Sequence, residues 1–535
     1  MAFERNPAIQ PAATAFAYSP GIGLAVRMDK CKLLIKRVYA RPSGSVCSSP
    51  ARFTESMPSP DFTNRDLFSA MKCSPRLSTI YRWLRLVTRL VIIFLVVGIS
   101  TPHSRAYSVL THEEIVDLLW PDEIRPLLLK RYPGLTDDQV KQAHAYAYGG
   151  AVIQDLGYYP FGSKEFSDLA HYVRSGDFVR ELLRESNDVN EYAFALGALA
   201  HYSSDITGHP AVNQSVAIEY PKLRAKYGKS VTYAEDKSAH LKTEFGFDMV
   251  QVAKNRYAPQ QYHDFIGFQV SKPLLERVFP VIYGLQLKDA LAHEDLAIGS
   301  YRFAISRLIP EMTKVALETH KNEIMREYPD FAKKKFLYHL SRSDYEKEWG
   351  KDYTRPGLGA RMLAVFFRFI PKIGPFKGLG FNNPTPQTED LYFKSINATV
   401  DQYRSFLHEV GHEMENDSFR LTNCDLDDGE VTSPGEYSLA DDTYAKLLHQ
   451  LSGKKFEGAS TELRANILDF YSDPAAPVET KKNESDWKNV QTELRQLEAM
   501  TPSTGTSTDN GATYSNRIAE PTPAGRRGGV CSAGQ

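Results

Sequence analysis

The stretch ALGALAHYSSDITGHPAVN, residues 195–213, decides how this chain is expected to fold. It overlaps a segment, EYAFALGALAHYSSDI (191–206), that is apolar on nearly all sides, which is typical of a buried helix. The same segment carries His201 and Asp205, and residues four apart share one face of a helix, about one turn from each other. Because a buried carboxylate without a partner is costly, the pair is a candidate for chelating one ion.

Helical signals extend outward from this stretch over most of the chain. THEE (111–114) and TDDQ (136–139) are capping-box sequences that open helices, and strand-like alternation is scarce. We therefore predict an all-α protein, with a catalytic domain over residues 107–321 and a second helical region over 322–472. Beyond it, residues 473–535 turn to Thr, Ser, Gly, Asn and Lys, and we expect a disordered tail.

Composition fixes the class of protein but not its function. The 535 residues are 42% hydrophobic and 24% charged, as in soluble globular proteins, and the net charge of −1 gives no global field that would attract nucleic acid. Of the five cysteines, only Cys424 lies in a stretch that looks folded, and no spacing suggests a disulfide framework or a thiolate metal site. Any metal ligands are therefore expected to be histidines and carboxylates.

Further candidate ligands follow along the chain. HLKTE supplies His240 and Glu244, again four residues apart. His209 lies between Gly208 and Pro210, and because proline restricts the preceding residue towards an extended backbone, His209 need not continue the helix and can turn towards a second ion. Imidazole with carboxylate and no thiolate suits zinc in a catalytic, partly open site.

Each pair is weak evidence alone. A lone histidine on an apolar helix is more often hydrogen-bonded core than ligand, and a His–Glu pair at this spacing is usually on the surface. The ordered series is more specific, because His112, Asp155 and His171 precede these residues and complete eight potential ligands in helical sequence. His144 and His263 match no position of the series and are interpreted as structural.

On these residues the sequence resembles the zinc-dependent phospholipases C, to which phospholipase C/D domains and single-strand-specific zinc nucleases are related. The resemblance covers residues 107–249. Its most specific part is the H-x-x-x-D motif of His201 and Asp205, followed by a His–Pro pair at His209 and by Asn213. HLKTEFGFD then matches the H-x-x-x-E pattern, with Asp248 one turn further on.

The resemblance implies an all-α domain that holds up to three zinc ions in a cleft. It assigns the first ion to Asp155, His171, His201 and Asp205, and the second ion to His209, His240 and Glu244. The third ion is assigned to His112, to Asp205, which bridges it to the first ion, and to the amino and carbonyl groups of the mature N-terminal residue.

The activity that it implies is a zinc-dependent phosphodiesterase, most specifically a phospholipase C that cleaves phospholipid headgroup esters with a metal-bound hydroxide. Asp155 is the implied catalytic residue, which both ligates and orients the attacking water. Two alternatives stay open: a zinc nuclease on single-stranded nucleic acid, disfavoured by the near-neutral charge, and a non-catalytic zinc-stabilised lipid-binding protein. The expected partner is a phospholipid or membrane surface rather than nucleic acid, and no protein partner is predicted.

An export signal is predicted well inside the chain. The apolar run LVIIFLVVGI (90–99) follows several basic residues and precedes the small Ala106, as in a signal peptide. We predict translation from Met71, a non-functional extension over residues 1–70, a signal peptide over 71–106, and secretion or periplasmic export. Cleavage after Ala106 makes Tyr107 the mature N-terminal residue and zinc ligand, where the resembling family typically has Trp.

The alternative is an uncleaved membrane anchor over residues 84–99, which the shortness of the apolar run disfavours, since a spanning helix needs about 20 residues. A second lipid-facing candidate, residues 355–376, combines aromatic side chains with arginines. We interpret it as a core helix broken at Pro371, with an interfacial segment as the alternative.

The stretch HEVGHEMEN (408–416) matches the H-E-x-x-H motif of zinc metalloproteases through His408, Glu409 and His412. The apolar stripe of the surrounding helix pattern lies on roughly the opposite face, so we expect both histidines to point towards solvent. A protease helix instead needs them to face a cleft with a third ligand, and no H-x-x-G-x-x-H extension follows. We interpret the motif as a solvated helix face.

Overall fold

The computed structural model describes residues 109–253, 267–305, 309, 383–413, 418–500 and 531, all of which belong to one compact unit spanning residues 83–535. The predicted extension, signal peptide and anchor, the mature N-terminal Tyr107, His263 and the segment 355–376 lie outside the described residues. Within them the chain is helical almost throughout, which confirms the all-α prediction.

The first helical region contains eleven α-helices in the described residues. In chain order these are α1 (Val109–Leu119), α2 (Arg125–Arg131), α3 (Asp137–Gly150), α4 (Lys164–Tyr172), α5 (Ser175–Arg184), α6 (Val189–Glu219), α7 (Pro221–Tyr227), α8 (Lys237–Ala253), α9 (Lys272–Tyr283), α10 (Leu287–Ala290) and α11 (Glu294–Phe303). A π-helical turn (Trp120–Ile124) links α1 to α2, and a 3-10 turn (Ile153–Tyr158) links α3 to α4.

The described part of the second region contains α12 (Pro386–Glu413), α13 (Ser438–Gly453), α14 (Thr461–Phe470), a 3-10 turn (Glu479–Lys482) and α15 (Glu484–Met500). Two short antiparallel strands, β1 (Cys424–Asp425) and β2 (Glu430–Val431), pair between α12 and α13. We refer to residues 424–431 as the hairpin.

Helix α6 lies at the centre of the fold, as its apolar sequence predicts. It begins where the Asp188 side chain accepts hydrogen bonds from the backbone N–H groups of Asn190 and Glu191, an N-cap. Helix α3 packs against it so closely that a Cβ on Gly197 would collide with the Ala147 carbonyl oxygen. The glycine therefore permits a backbone contact that holds the metal-facing half of α6 in place.

The path of α6 around Pro210 settles a point that the sequence leaves open. His209 does not leave the helix, which continues through Pro210 to Glu219. The carbonyl that proline cannot pair with, four residues back, belongs to Ile206, and Gly429 of the hairpin packs directly against that oxygen. Tertiary packing on this side of α6 thus outweighs the local restriction.

The second helical region shares its hydrophobic core with the first. Helix α12 lies along α6, where the Tyr403 hydroxyl donates to the Leu196 carbonyl at 2.9 Å. Two residues beyond Asp205, the hydroxyls of Thr207 and Thr399 are 2.5 Å apart. Helix α12 therefore buttresses the segment of α6 that carries the candidate ligands.

Two expectations about the C-terminal part of the chain are wrong. Residues 479–500 are helical rather than disordered, and α15 buries Val490 and Leu497 on one stripe of an otherwise polar helix. Cys531, which the sequence placed in an unpaired tail, forms a disulfide bond with Cys424. The two cysteines are 107 residues apart, so no local spacing could have revealed the pair.

The H-E-x-x-H motif lies on the exposed side of α12, as predicted. The His408 side chain is 61% exposed and pairs with Glu123 at 3.0 Å, and His412 is also exposed. Tyr403, Leu407 and Val410 form the buried face of the same helix. Among the helices of the described ranges, none combines the length and apolarity needed to cross a membrane.

Candidate metal centre

The eight histidines and carboxylates predicted as ligands converge on the middle of α6, and all are buried. Helix α6 itself contributes His201, Asp205 and His209. Four elements around it supply the other five: His112 from α1, Asp155 from the first 3-10 turn, His171 from α4, and His240 and Glu244 from α8. These residues form two neighbouring groups, which we call the first and second cluster.

The first cluster is organised by Asp205. Its Oδ2 lies 3.0 Å from Nε2 of His201 and 3.6 Å from Nε2 of His171. Nε2 of His171 is in turn 3.5 Å from Oδ1 of Asp155. Two imidazoles and two carboxylates therefore face one point beside α6, which is the set that the resemblance assigns to one ion.

His112 approaches the opposite oxygen of the same carboxylate. Its Nε2 is 3.5 Å from Oδ1 of Asp205, and its ring stacks on His201 with centroids 4.4 Å apart. Burial and the neighbouring His201 hold the pKa of His112 well below its ordinary value, so this imidazole is neutral and can donate a lone pair. Asp205 thus occupies the bridging position between two groups of ligands.

The second cluster lies where α6 and α8 face each other. Oε1 of Glu244 is 2.7 Å from Nε2 of His240 and 3.6 Å from Nε2 of His209, and the two rings are 5.3 Å apart. His209 reaches this cluster from within the helix, because positions four apart on a helix advance by about 40° around its axis. Ligands at 201, 205 and 209 therefore turn gradually from the first cluster towards the second.

Three of the imidazoles are oriented by hydrogen bonds on their outer side. Nδ1 of His171 donates to the Ser167 carbonyl at 2.7 Å, and Nδ1 of His201 donates to the Ala151 carbonyl at 2.9 Å. Nδ1 of His209 donates to the carbonyl of Leu426. A carbonyl can only accept, so each contact fixes the proton on Nδ1 and leaves the Nε2 lone pair facing the cluster, as in metal-ligating histidines generally.

In the metal-free protein, burial and neighbouring charged groups shift the pKa values of His201, Asp205 and Glu244. Burial lowers the pKa of His201, but the Asp205 and Asp155 carboxylates outweigh it and raise that pKa to about 9. Burial raises the pKa of Asp205, but His201 and His209 bring it down to about 2. Burial and the nearby carboxylates, Asp155 foremost among them, raise the pKa of Glu244 well above its ordinary value.

The donor atoms of the clusters fit zinc. Several buried atoms that face the cluster centres have no hydrogen-bond partner: both oxygens of Asp155, Oδ1 of Asp205, Oε2 of Glu244, and Nε2 of His171 and His209. Such atoms are costly inside a protein unless a cation pairs with them. Three groupings, His112–His201–Asp205, Asp155–His171–His201 and His209–His240–Glu244, each bring their ligand atoms within 4.8 Å of one another. Nitrogen and oxygen donors without thiolate suit catalytic zinc.

His144 is structural, as predicted. Nε2 of its imidazole lies 2.9 Å from Oδ1 of Asp117, and its ring stacks on Trp120 at 3.7 Å. Asp117 also accepts a hydrogen bond from the Tyr148 hydroxyl at 2.6 Å. The group ties α1 to α3 behind the ligands and takes no part in either cluster.

Sequence reasoning missed the residues that reach the site from the hairpin. The Leu426 carbonyl contacts His209, and Asp427 is fully buried beside the second cluster. The turn sequence DLDDGE (425–430) gave no signal of these contacts, because acidic residues before a glycine are typical of an exposed turn, whereas the structure buries Asp425 and Asp427. Its distance along the chain from the ligands also concealed these contacts.

Comparison with known proteins gives one match. Residues 111–292 match the family model described as zinc dependent phospholipase C, and all eight candidate ligands lie inside that range. The match confirms the resemblance that the sequence motifs carry. No curated protein and no solved structure matches the chain.

Proposed function

Because residues 111–292 are matched by the zinc-dependent phospholipase C family, we propose that this protein is a zinc-dependent phosphodiesterase that hydrolyses phospholipid headgroup esters. The products are a diacylglycerol and a phosphorylated alcohol. The observation that carries the proposal is the pair of adjoining buried clusters of imidazole and carboxylate donors. In the first cluster, one oxygen of Asp205 faces His112 and the other faces His201.

The residues of the first cluster bring the reacting groups together. Zinc, when bound, supplies Lewis-acid activation of a water and of the phosphoryl oxygens. Asp155 is the candidate for orienting the attacking water, because both of its carboxylate oxygens are buried and have no hydrogen-bond partner. His201 and His171 are held with Nε2 inward by the carbonyls behind them, so the site is organised before substrate arrives.

We propose up to three zinc ions, with the third held by His112, Asp205 and the amino group of Tyr107 after signal cleavage. His112, three residues after Val109 at the beginning of α1, has its Nε2 3.5 Å from Oδ1 of Asp205 on α6. The Leu110 N–H and the Thr111 hydroxyl both donate to Asp248, at 3.2 and 2.8 Å. These bonds hold the start of α1 against α8, beside the ligands.

A lipid substrate is supported by the family match and by an exposed aromatic side chain close to Asp155. Phe161, on the loop that leaves the 3-10 turn of Asp155, is 44% exposed and has a left-handed backbone conformation with φ of 64°. Both features cost free energy in an isolated soluble protein, and a side chain of this kind inserts readily into a lipid interface. The proposed partner is therefore a phospholipid surface.

Export of the protein is part of the proposal. The Cys424–Cys531 disulfide supports it, because disulfide bonds persist in oxidising compartments such as the periplasm and the exterior. Sequencing the N-terminus of the exported protein tests cleavage directly. We expect Tyr107 as its first residue, and an exported chain that retains residues 84–99 would show the anchor instead.

The experiment for the activity compares two substrates and two variants. Zinc-loaded protein is incubated with phosphatidylcholine vesicles and, separately, with single-stranded DNA, and release of the phosphorylated headgroup or of nucleotides is measured. We expect headgroup release that His201→Ala abolishes and that the matched surface variant His408→Ala leaves unchanged. Cleavage of DNA alone would replace the proposal with the nuclease, and activity retained in His201→Ala would exclude the zinc-cluster mechanism.

A further inference from the structure

We propose that the hairpin is a working part of the metal centre: it positions His209 for the second cluster, and Asp427 is the positioning residue. The hairpin lies beyond the range matched by the family model, which ends at residue 292. The inference rests on the zinc centre of the proposed function, but not on its lipid substrate.

The backbone of Leu426 connects the two clusters. Its N–H donates to the carbonyl of His171 at 3.2 Å, and its carbonyl accepts the Nδ1 proton of His209. One residue of the hairpin therefore fixes the backbone that carries a ligand of the first cluster and the ring orientation of a ligand of the second. Hydrogen bonds of this second kind set the tautomer and the basicity of a metal-binding histidine.

Asp427 is held beside the same imidazole from several directions. Its Oδ2 accepts hydrogen bonds from the hydroxyls of Tyr172 and Tyr437, both at 2.6 Å. Its backbone carbonyl accepts from Nδ2 of Asn213 at 2.9 Å, one turn beyond His209 on α6. These bonds place Oδ1 at 3.8 Å from Nδ1 of His209, too long for a hydrogen bond but close enough for strong electrostatic coupling between buried groups.

The charge of Asp427 favours the metal-loaded state. The carboxylate is fully buried beside the His209 ring, where a negative charge is costly while no cation is present. When zinc binds, the same charge attracts the cation and increases the electron donation of the His209 ring. A purely structural residue would stabilise the two states equally.

The hairpin is held in place by contacts with α5 and with α6, the helix that carries His209. The Ser175 hydroxyl donates to the Cys424 carbonyl at 2.6 Å and accepts from the Cys424 N–H at 2.9 Å. Cys424 is joined by its disulfide to Cys531, whose N–H donates to the Gly429 carbonyl at 3.0 Å. Gly429 has φ of +75° and touches the Ile206 carbonyl of α6, so the turn cannot retreat from His209 without losing these contacts.

The deciding variant is Asp427→Asn in the full chain. An amide oxygen still accepts the two tyrosine hydroxyls, so the substitution removes the charge and leaves the packing. Zinc affinity is measured by competition with a chelator, and the melting temperature is measured with and without zinc. We expect the affinity for one zinc ion to fall about 10- to 100-fold, as for other partners of metal-bound histidines, while the metal-free melting temperature stays level or rises.

The matched control is Asp428→Asn. Asp428 lies in the same turn, and its Oδ1 accepts the Glu430 N–H at 3.0 Å. We expect unchanged zinc affinity in this control. A metal-free melting temperature that falls in Asp427→Asn, with zinc affinity equal to wild type, would overturn the proposal and leave Asp427 a structural residue.

A second pair of variants moves the hairpin rather than its charge. Gly429→Ala places a Cβ against the Ile206 carbonyl, whereas Gly134→Ala strains a glycine of similar φ, +84°, with no atom within 4 Å of the new Cβ. We expect Gly429→Ala to lower the affinity for the same zinc ion as Asp427→Asn does. We expect Gly134→Ala to bind zinc with the wild-type affinity. Absence of zinc binding in the wild type would instead reject the zinc centre, so the two failures are distinguishable.

Discussion

Helices α6 and α12 lie side by side, and each carries a pair of potential metal ligands four residues apart, His201 and Asp205 on α6 and His408 and His412 on α12. On α6, His201 and Asp205 are fully buried and face ligands from three other elements. On α12, His408 and His412 are exposed, and His408 meets only the half-buried carboxylate of Glu123 among its ion pairs in the described residues. The spacing is the same in both, so burial and converging partners, not the motif, distinguish a metal site from a solvated helix face.

The largest difference is expected when one histidine of each helix is removed. His201→Ala deletes a ligand of the first cluster and the ring that stacks on His112, so hydrolysis should fall to background and zinc content should fall. His408→Ala should change activity by less than about twofold, since the side chain touches neither cluster. Headgroup release and zinc content of the two variants provide the measurement. Equal loss in both would mean that α12 also contributes to the site.

A sharper comparison uses the carboxylates of the two helices. Asp205→Asn removes the charge shared by His112 on one oxygen and His201 on the other, so both zinc positions beside Asp205 should bind more weakly. We expect loss of more than one zinc ion per chain, measured by metal analysis. Glu409→Gln is the control, because Glu409 is half-buried away from both clusters and, within the described contacts, accepts a hydrogen bond only from the neighbouring Ser405. Loss of a single ion from Asp205→Asn would contradict the bridging role.

The pH dependence of stability should separate the clusters from surface histidines. The pKa of His201 is raised to about 9 in the folded, metal-free protein, above the unfolded value of 6.5, and the pKa of Glu244 is raised in the same sense. The proton on His201 therefore contributes its full stabilisation below pH 6.5, and this stabilisation is lost as the pH rises through about 9. Zinc displaces that proton, so its binding strengthens over the same range.

Thermal melting between pH 6.5 and 9 measures both effects. We expect the melting temperature of the metal-free protein to fall across this window while the increase caused by zinc grows. His201→Ala should flatten both trends, and His408→Ala should keep them. A zinc-induced increase that is constant with pH would show that no proton is displaced.

The smallest effect is expected at the surface of α12. Breaking the His408–Glu123 pair by Glu123→Gln should change the free energy of unfolding by at most about 1 kcal/mol, because exposed ion pairs contribute little. Denaturant titration of the metal-free protein is the measurement. A larger change would mean that Glu123, which Arg404 also contacts at 3.3 Å, anchors α12 more firmly than its exposure suggests.

The parts of the molecule that could be predicted are those that depend on local spacing. The buried α6, the capping box at Thr136 and the four-residue spacing of the ligand pairs are all set by residues within one or two turns. That spacing predicted the pairs His201–Asp205 and His240–Glu244, whereas His112, Asp155 and His171 rested on their order along the chain and on the family resemblance. The structure brings all eight candidate ligands together as two clusters. The number of zinc ions that the clusters hold stays a prediction. The predicted ligand Tyr107 lies outside the described residues.

The parts that could not be predicted depend on contacts between distant residues. His209 meets Leu426 across 217 positions, so neither its helical conformation at Pro210 nor its hydrogen-bond partner could be derived from neighbouring residues. The Cys424–Cys531 disulfide has the same character. Helix α15 is different, because Val490, Leu494 and Leu497 have helical spacing that a polar composition obscured.

The central claim is that the buried clusters around α6, and not the motif on α12, hold zinc. Metal analysis of the purified wild-type protein beside His201→Ala and His408→Ala tests it most directly. We predict more than one zinc ion per chain in the wild type, fewer in His201→Ala, and the wild-type content in His408→Ala. A wild-type protein without zinc, or zinc lost from His408→Ala and retained in His201→Ala, would contradict the account.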